Sequence, residues 1–490
     1  MRPETGAAPA EPGKGPPGGA PPATTDTRTF LRLFTAVMLP MFLAAVDQTL
    51  LATATPVIAD ELGGLRDTSW IAVGYLLAAA ATTAVYGRLG DRLGRRAVLL
   101  GALAVFSAGS LACALAPSLP ALVAARVLQG LGGGGLMTLS QALIGELVTP
   151  RERARFQGYF AAMFSLASIG GPVLGGLVVA HGHWRWLFAV NLPLCALAAW
   201  RLLGLPPGQP GRAGPPANLT GTLLFPVVIV LVLYWLSSGG HRFAWLSWQS
   251  AAWAMAGTAL ALLLFLRERR HPRPFLPLDL LRMPAVAYGT LTTALFAACM
   301  FAMVFFLPVY LQLGLARDAA ASGLLLLPLT LGMATGSTTS GRVISRTGSP
   351  GPVPVAGMST AAVGLLLMGL LPPGNITVSA LGFVVGAGFG TVMPTMQITL
   401  QTAAGRERLG AATSLVSLSR SLGAACGTAL FGALVFALLP DTDPARLAES
   451  ARLLPADTLV PAFHRAFVVV AGVAALTALA ASRIPRLRIT

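Results

Sequence analysis

Residues 87–96 read Gly87-Arg88-Leu89-Gly90-Asp91-Arg92-Leu93-Gly94-Arg95-Arg96, a block of charge and glycine between two long apolar runs. A related block stands far downstream as Gly341-Arg342-Val343-Ile344-Ser345-Arg346-Thr347-Gly348. In each, the flanking glycines are seven residues apart and an arginine lies two before the second. Charge this dense is expelled from hydrocarbon, so each block is expected to turn outside a membrane. Gly87 and Gly94 supply the backbone freedom for a tight turn. Asp91, Arg92, Arg95 and Arg96 can bond to neighbouring helix ends, with Glu146 as a partner for Arg95 or Arg96, making a conformational latch.

The rest of the chain fits this setting. It has 490 residues, 55% hydrophobic and only 11% charged, with a mean hydropathy of +0.72. Soluble domains carry about 25% charged residues. Apolar runs of about 20 residues recur along the whole length, the pattern of a polytopic helical membrane protein and not of a β-barrel. The net charge of +16 raises the question of nucleic acid. Its placement answers it, because 25 of the 34 Lys and Arg fall on one side of the expected spans. That asymmetry marks a cytoplasmic side and sets topology, so no nucleic-acid partner is expected. The four cysteines are dispersed in apolar runs and the five histidines have no ligand spacing, so no metal or disulfide framework is expected.

Fourteen spans are expected. Residues 1–28 form a disordered cytoplasmic tail, 29–204 a six-helix bundle, 205–282 a linker with two extra spans, and 283–490 a second six-helix bundle. An internal repeat supports the plan. Gly87 pairs with Gly341, Arg151-Glu152-Arg153 with Arg406-Glu407-Arg408, and Gly130, Gly132, Gly134, Met137 and Gln141 with Gly386, Gly388, Gly390, Met393 and Gln397, all at offsets of 254 to 256. Two parallel copies with a binding site between them near the midplane is one known transporter plan.

Asp47 is the acid expected at a span centre. A charge there costs on the order of 2.5–3.5 kcal/mol by insertion scales, so it is expected to face a cavity and to carry a proton or cation. Arg126 and Arg420 are the intramembrane bases. Arg126, Gly130, Gly133, Met137 and Gln141 share one helix face, either a tight packing surface or a cavity wall. Gly158, Gly171, Pro172, Gly175 and Gly176 in the fifth span serve close packing or a hinge.

Taken together, these motifs resemble the major facilitator superfamily. Gly87-x-Leu89-x-Asp91-Arg92-x-Gly94-Arg95-Arg96 is similar to its signature loop. Val46-Asp47-Gln48-Thr49-Leu50 through Thr55-Pro56 resembles the first-helix motif of the drug–proton antiporter branch with fourteen helices, the EmrB/QacA type. Arg126-Val-Leu-Gln129-Gly130 resembles that branch's arginine motif, tied to proton coupling. The glycines of span 5 resemble its antiporter motif, with Ala167 in place of one glycine. Trp184-Arg185-Trp186 through Asn191-Leu192-Pro193 also fits. Ser345 departs from the pattern by replacing an acid in the second block, and spans 9–14 hold no acid near their centres.

The resemblance implies an all-α fold of two six-helix bundles plus two inserted helices. It implies no enzyme and no cofactor, but a proton-driven exporter of small amphipathic compounds. Asp47 and Arg126 would couple protons, and Gln129, Met137, Gln141, Gln397 and Arg420 would line the substrate cavity. A proton symporter, a lipid transporter and a non-transporting sensor are the competing readings. The expected setting is a bacterial cytoplasmic membrane, with the lipid bilayer, protons and a small-molecule substrate as partners, both termini cytoplasmic, and a monomer.

Overall fold

The computed structural model describes residues 27–62, 69–148, 156–205 with gaps before residue 181, 218–239, 243, 246–271, 278–317, 319–438 except 373, and 456–487 except 486. Among these it is helical throughout, apart from one isolated bridge between Gly239 and Phe243. The expected tail 1–28 and the motif Arg151-Glu152-Arg153 lie almost wholly outside the described residues, as do Gly158, Pro172 and Gly176.

The first bundle contains α1 (Thr27–Leu62), α2 (Ser69–Leu93), α3 (Arg95–Ala114), α4 (Leu119–Leu147), helical residues between 156 and 181, and α5 (Asn191–Leu203), which follows a short turn of helix at Trp186–Ala189. The inserted pair is α6 (Leu219–Ser238) and α7 (Trp248–Arg270). The second bundle contains α8 (Pro284–Val309), α9 (Ala319–Thr347), α10 (Pro352–Leu370), α11 (Asn375–Gly390), α12 (Val392–Ala404), α13 (Leu409–Ala437) and α14 (Ala456–Ser482). Eleven stretches among the described residues are long and apolar enough to cross a membrane. Helix α6 is shorter, and α13, which carries Arg420 and several serines, is not among the eleven.

One reading from the sequence needs correction. The signature block is not a turn from Gly87 to Gly94. Helix α2 runs straight through Gly87 to Leu93 and stops only where Gly94 takes φ +92°. The repeat does the same: α9 runs through Gly341 to Thr347, and Gly348 takes φ +65°. The second glycine of each block is needed for a left-handed backbone that side chains resist.

Glycine has another task at Gly87 and along α4. A Cβ at Gly130 would lie 2.4 Å from the Tyr75 carbonyl of α2, and one at Gly132 would lie 2.4 Å from the Phe106 amide of α3. In the second bundle Gly386 meets the Leu329 carbonyl of α9 and Gly388 the Gly357 carbonyl of α10, at 2.1 and 2.3 Å. Without a hydrophobic drive between helices in lipid, such close backbone approach is what makes helix pairs cohere. The two bundles use it at repeat-related positions.

The bundles meet along α2 and α13, with the inserted pair over the join. Phe225, Val228, Ile229 and Leu233 of α6 and Leu264 of α7 form one apolar cluster with Leu77 and Ala80 of α2 and with Leu418, Leu422 and Ala425 of α13. Trp70 of α2 stacks on Tyr234 of α6 with ring centroids 5.6 Å apart, and Tyr234 lies 4.8 Å from Trp253 of α7. The pair is also tied to itself, by Trp235 donating to Ser250 at 3.0 Å and Asn218 donating to the buried Glu268 at 2.8 Å.

Candidate functional site

Helices α1, α3, α4 and α5 bring one charged network into the interior of the first bundle. Asp47 is 2% exposed and Arg126 is 1% exposed. Arg126 donates from one terminal nitrogen to Asp47 Oδ2 at 2.5 Å and to Gln129 Oε1 at 2.5 Å, and from Nε to the Ile71 carbonyl at 3.1 Å. Its guanidinium lies over the Tyr75 ring, 4.4 Å from the centroid. The other Asp47 oxygen, Oδ1, accepts from Gln129 Nε2 and from Asn191 Nδ2, both at 2.9 Å. Ser110 Oγ accepts from Gln129 at 2.8 Å and donates to the Phe106 carbonyl at 2.9 Å. The spacing of Arg126 and Gln129 puts both on one face of α4, one turn apart, so a single helix delivers the cation and an amide.

An ionised carboxylate only accepts hydrogen bonds. Asp47 has three side-chain donors from two neighbouring helices, α4 and α5, and so is built to be held as an anion. A proton on Asp47 would cancel the charge that pairs with Arg126 and so weaken the tie between α1 and α4.

Asn191 and Ser110 were not singled out from the sequence as site residues. Asn191 stood only within the Trp184-to-Pro193 motif, whose near end is also anchored. Trp184 Nε1 and Arg185 donate to Glu61 at the far end of α1, at 2.7 and 2.8 Å. The Arg185 hydrogen bond holds the Glu61 carboxyl below its ordinary range.

At the arginine-rich end the halves are joined. Asp91 Oδ1 accepts from the Gly410 amide at 2.9 Å, and Oδ2 from the Ala411 amide at 3.0 Å. These are first-turn amides of α13, so Asp91 caps a helix of the opposite bundle. Arg95 donates to Asp91 at 2.6 Å and to Glu146 at 2.7 Å, while Arg96 donates instead to the Leu203 carbonyl at 2.8 Å. Arg92 points to the surface. An added Cβ at Gly87 would stand 1.9 Å from Ser414 Oγ and 2.6 Å from the Gly410 carbonyl. Ser414 donates to the Thr83 carbonyl at 3.1 Å. Arg408 pairs with Asp279 beside this contact. In the second block Ser345 bonds only within its own helix, to the Arg342 carbonyl at 2.9 Å.

The remaining expected site residues are scattered. Gln397 and Gln401 of α12 both donate to Thr413 of α13, at 3.0 and 2.8 Å, and Gln401 reaches the Gln141 carbonyl of α4 at 3.4 Å. Met137 packs against the first bundle's core. Gln129 is consumed by the Asp47 network. Gly171 faces Thr49 of α1, where a Cβ would lie 2.1 Å from Thr49 Oγ1, and Thr49 donates to the Ala167 carbonyl at 2.9 Å. Gly175 is buried. No metal-binding group of His, Cys, Asp and Glu occurs among the described residues.

The fold has counterparts. Residues 37–240 and 217–428 each match the Major Facilitator Superfamily. The chain belongs to the major facilitator superfamily. The two matched segments overlap at α6, and the superfamily is one of transporters, not enzymes. The chain is 36% identical over 407 residues to an uncharacterized MFS-type transporter of Mycobacterium tuberculosis, covering 82% of this chain and 59% of that protein. It is 33% identical over 411 residues to the multidrug transporter protein MdtP of Bacillus subtilis, covering 82% of this chain and 75% of that one. A structure of the proton:xylose symporter XylE superposes over 94% of this chain and 97% of its own with a TM-score of 0.65 at 13% identity, a likeness of fold alone.

Proposed function

We propose that this superfamily member is a proton-coupled exporter of small amphipathic compounds, working by alternating access. The observation that carries the reading is the buried Asp47–Arg126 pair within the Gln129 and Asn191 amides. Asp47 binds a proton from outside, loosens its charge pairing with Arg126, and shifts α1 against α4 and α5. Release of the proton inside restores the network. The Bacillus subtilis relative, a multidrug transporter protein by name, supports export of drug-like compounds.

In this reading the arginine-rich end is cytoplasmic, following the positive-inside rule. The Asp91 cap and the Gly87–Gly410 contact then close the inner side, and the chain faces outward. Fourteen spans, both termini inside, a bacterial cytoplasmic membrane and a monomer complete the proposal. One proton exchanged for one monocation is electroneutral, so each pH unit supports about a tenfold gradient.

Everted membrane vesicles test it. Wild-type vesicles are expected to load a lipophilic dye when their lumen is acidified, and Asp47→Asn vesicles to lose that loading. Loading by wild type without any proton gradient, or undiminished loading by Asp47→Asn, overturns proton-coupled export through Asp47.

A further inference from the structure

A groove of about 310 Å³ opens where α1, α5 and the helical stretch around Met163 meet. Phe34, Met38 and Phe42 of α1 line it at successive turns, Leu197 and Arg201 of α5 line it one turn apart, and Met163 joins them. Side chains four apart share one face of a helix, so each helix presents a stripe to the groove. The walls are held by the core of the first bundle. The Phe34 ring packs against Phe156 and Tyr159 with centroids 6.1 and 5.2 Å apart, and Met38 is 6% exposed within the same core cluster. Neither can swing out to close the gap without leaving that core.

The groove is almost wholly apolar along its length and cationic at one end. From Phe34 to Phe42 it follows α1 for about 12 Å at about 1.5 Å per residue, close to the roughly 15 Å that one leaflet contributes to a hydrocarbon core of about 30 Å. Arg201 stands in the last turn of α5, and Leu203 just beyond it accepts from Arg96 of the signature block, so this end of the groove lies at the arginine-rich surface. Its guanidinium lies over the ring of Trp200, 4.9 Å from the centroid, and no carboxylate among the described residues pairs with it. Trp200 is 64% exposed, and exposed tryptophan settles at headgroup depth. A guanidinium at that depth takes a phosphate through two parallel hydrogen bonds, and basic pockets between spans hold anionic headgroups.

We propose that this groove binds one anionic phospholipid of the leaflet at the arginine-rich end, with its phosphate on Arg201 and an acyl chain along Phe34, Met38 and Phe42. The proposal rests on the membrane setting and not on the exporter reading. Occupancy has a mechanical reach, because Phe42 lies five residues before Asp47 on the same helix, about 7.5 Å along its axis. The acyl chain is thus packed against the helix that carries the buried acid, and the lipid steadies α1 in this arrangement.

Native mass spectrometry of the purified full chain tests it, with phosphatidylglycerol and phosphatidylcholine of matched acyl chains titrated in separately. Wild type is expected to hold one phosphatidylglycerol at about fivefold lower lipid concentration than phosphatidylcholine, the factor expected for one basic residue at an anionic headgroup. Arg201→Gln is expected to erase that preference and Arg201→Lys to keep most of it. Leu197→Trp, which fills the groove from an exposed position, is expected to weaken binding of both lipids. Equal binding of the two lipids by wild type overturns the proposal, as does a preference that survives Arg201→Gln. Unchanged lipid binding by Leu197→Trp places the lipid elsewhere and overturns it too. A lipid-free dimer of wild type that falls to monomers in Leu197→Trp puts a second copy of the chain in the groove and sinks the lipid assignment.

Discussion

Asp91 of α2 holds the Gly410 amide of α13 at 2.9 Å, across the boundary between the two bundles and 319 residues along the chain. The carboxylate is a helix cap supplied from the other half of the molecule. Caps of this type are worth about 1–2 kcal/mol, a factor of roughly 5–30 in a two-state population. Asp91→Ala is therefore expected to open the arginine-rich end. Spin labels at Leu93→Cys and Glu407→Cys, both exposed, are expected to show a longer distance population that grows in the variant. An unchanged distribution counts against the cap as a gate.

Gly87 is fixed by space and not by backbone conformation. Gly87→Ala puts a methyl group 1.9 Å from Ser414 Oγ and 2.6 Å from the Gly410 carbonyl. The same label pair is expected to report separation at least as large as for Asp91→Ala. Adding Ser414→Ala removes one obstacle and leaves the carbonyl, so the double variant is expected to recover only part of the closure.

Arg126→Gln leaves Asp47 buried with its amide donors but no cation. Removing one member of a buried pair costs about 3–5 kcal/mol. Thermal unfolding in detergent is expected to rank wild type above Asp47→Asn with Arg126→Gln, and that double variant above Arg126→Gln alone. A double variant less stable than Arg126→Gln would argue that Asp47 is not held as an anion.

Glu61 gives a pH signature at the far end of α1. Arg185, Trp184 and His183 surround it, and the Arg185 hydrogen bond leads in lowering its pKa below the ordinary 4.5. A depressed folded-state value means the clasp is intact above the ordinary value and is lost as pH falls through the depressed one. Wild type is expected to lose more protection than Glu61→Gln as pH falls below about 4.5, read by hydrogen exchange at Trp184 to Phe188. Parallel losses in the two proteins would remove Glu61 from the clasp.

Much of this could be read from residues alone, for identifiable reasons. Hydropathy and length revealed most helices because a bilayer leaves few other solutions. The offset between Gly130 and Gly386 pointed to the duplicated plan, and both copies pack their glycines on the same kinds of neighbours. Asp47 and Arg126 stood out because charge is rare in such runs. What escaped was any contact whose second partner comes from a distant helix. Nothing local distinguishes Asn191 from a motif asparagine, or tells that Arg95 and not Arg96 reaches Glu146. Gly87 was mistaken for a turn residue because glycine signals both conformational freedom and lack of bulk, and only the arrival of α13 shows which applies.

The inserted pair has a consequence for how a hydrophobic solute meets this protein. Two bodies rocking in a bilayer leave a slot to the lipid wherever their edges part. Along α2 and α13 that slot is shuttered, since Phe225, Ile229 and Leu264 overlap helices from both bodies. Under the proposed rocking motion the shutter slides over one partner at each stroke. A compound dissolved in the membrane finds no doorway on this flank, and its approach is confined to the aqueous mouth or the opposite side.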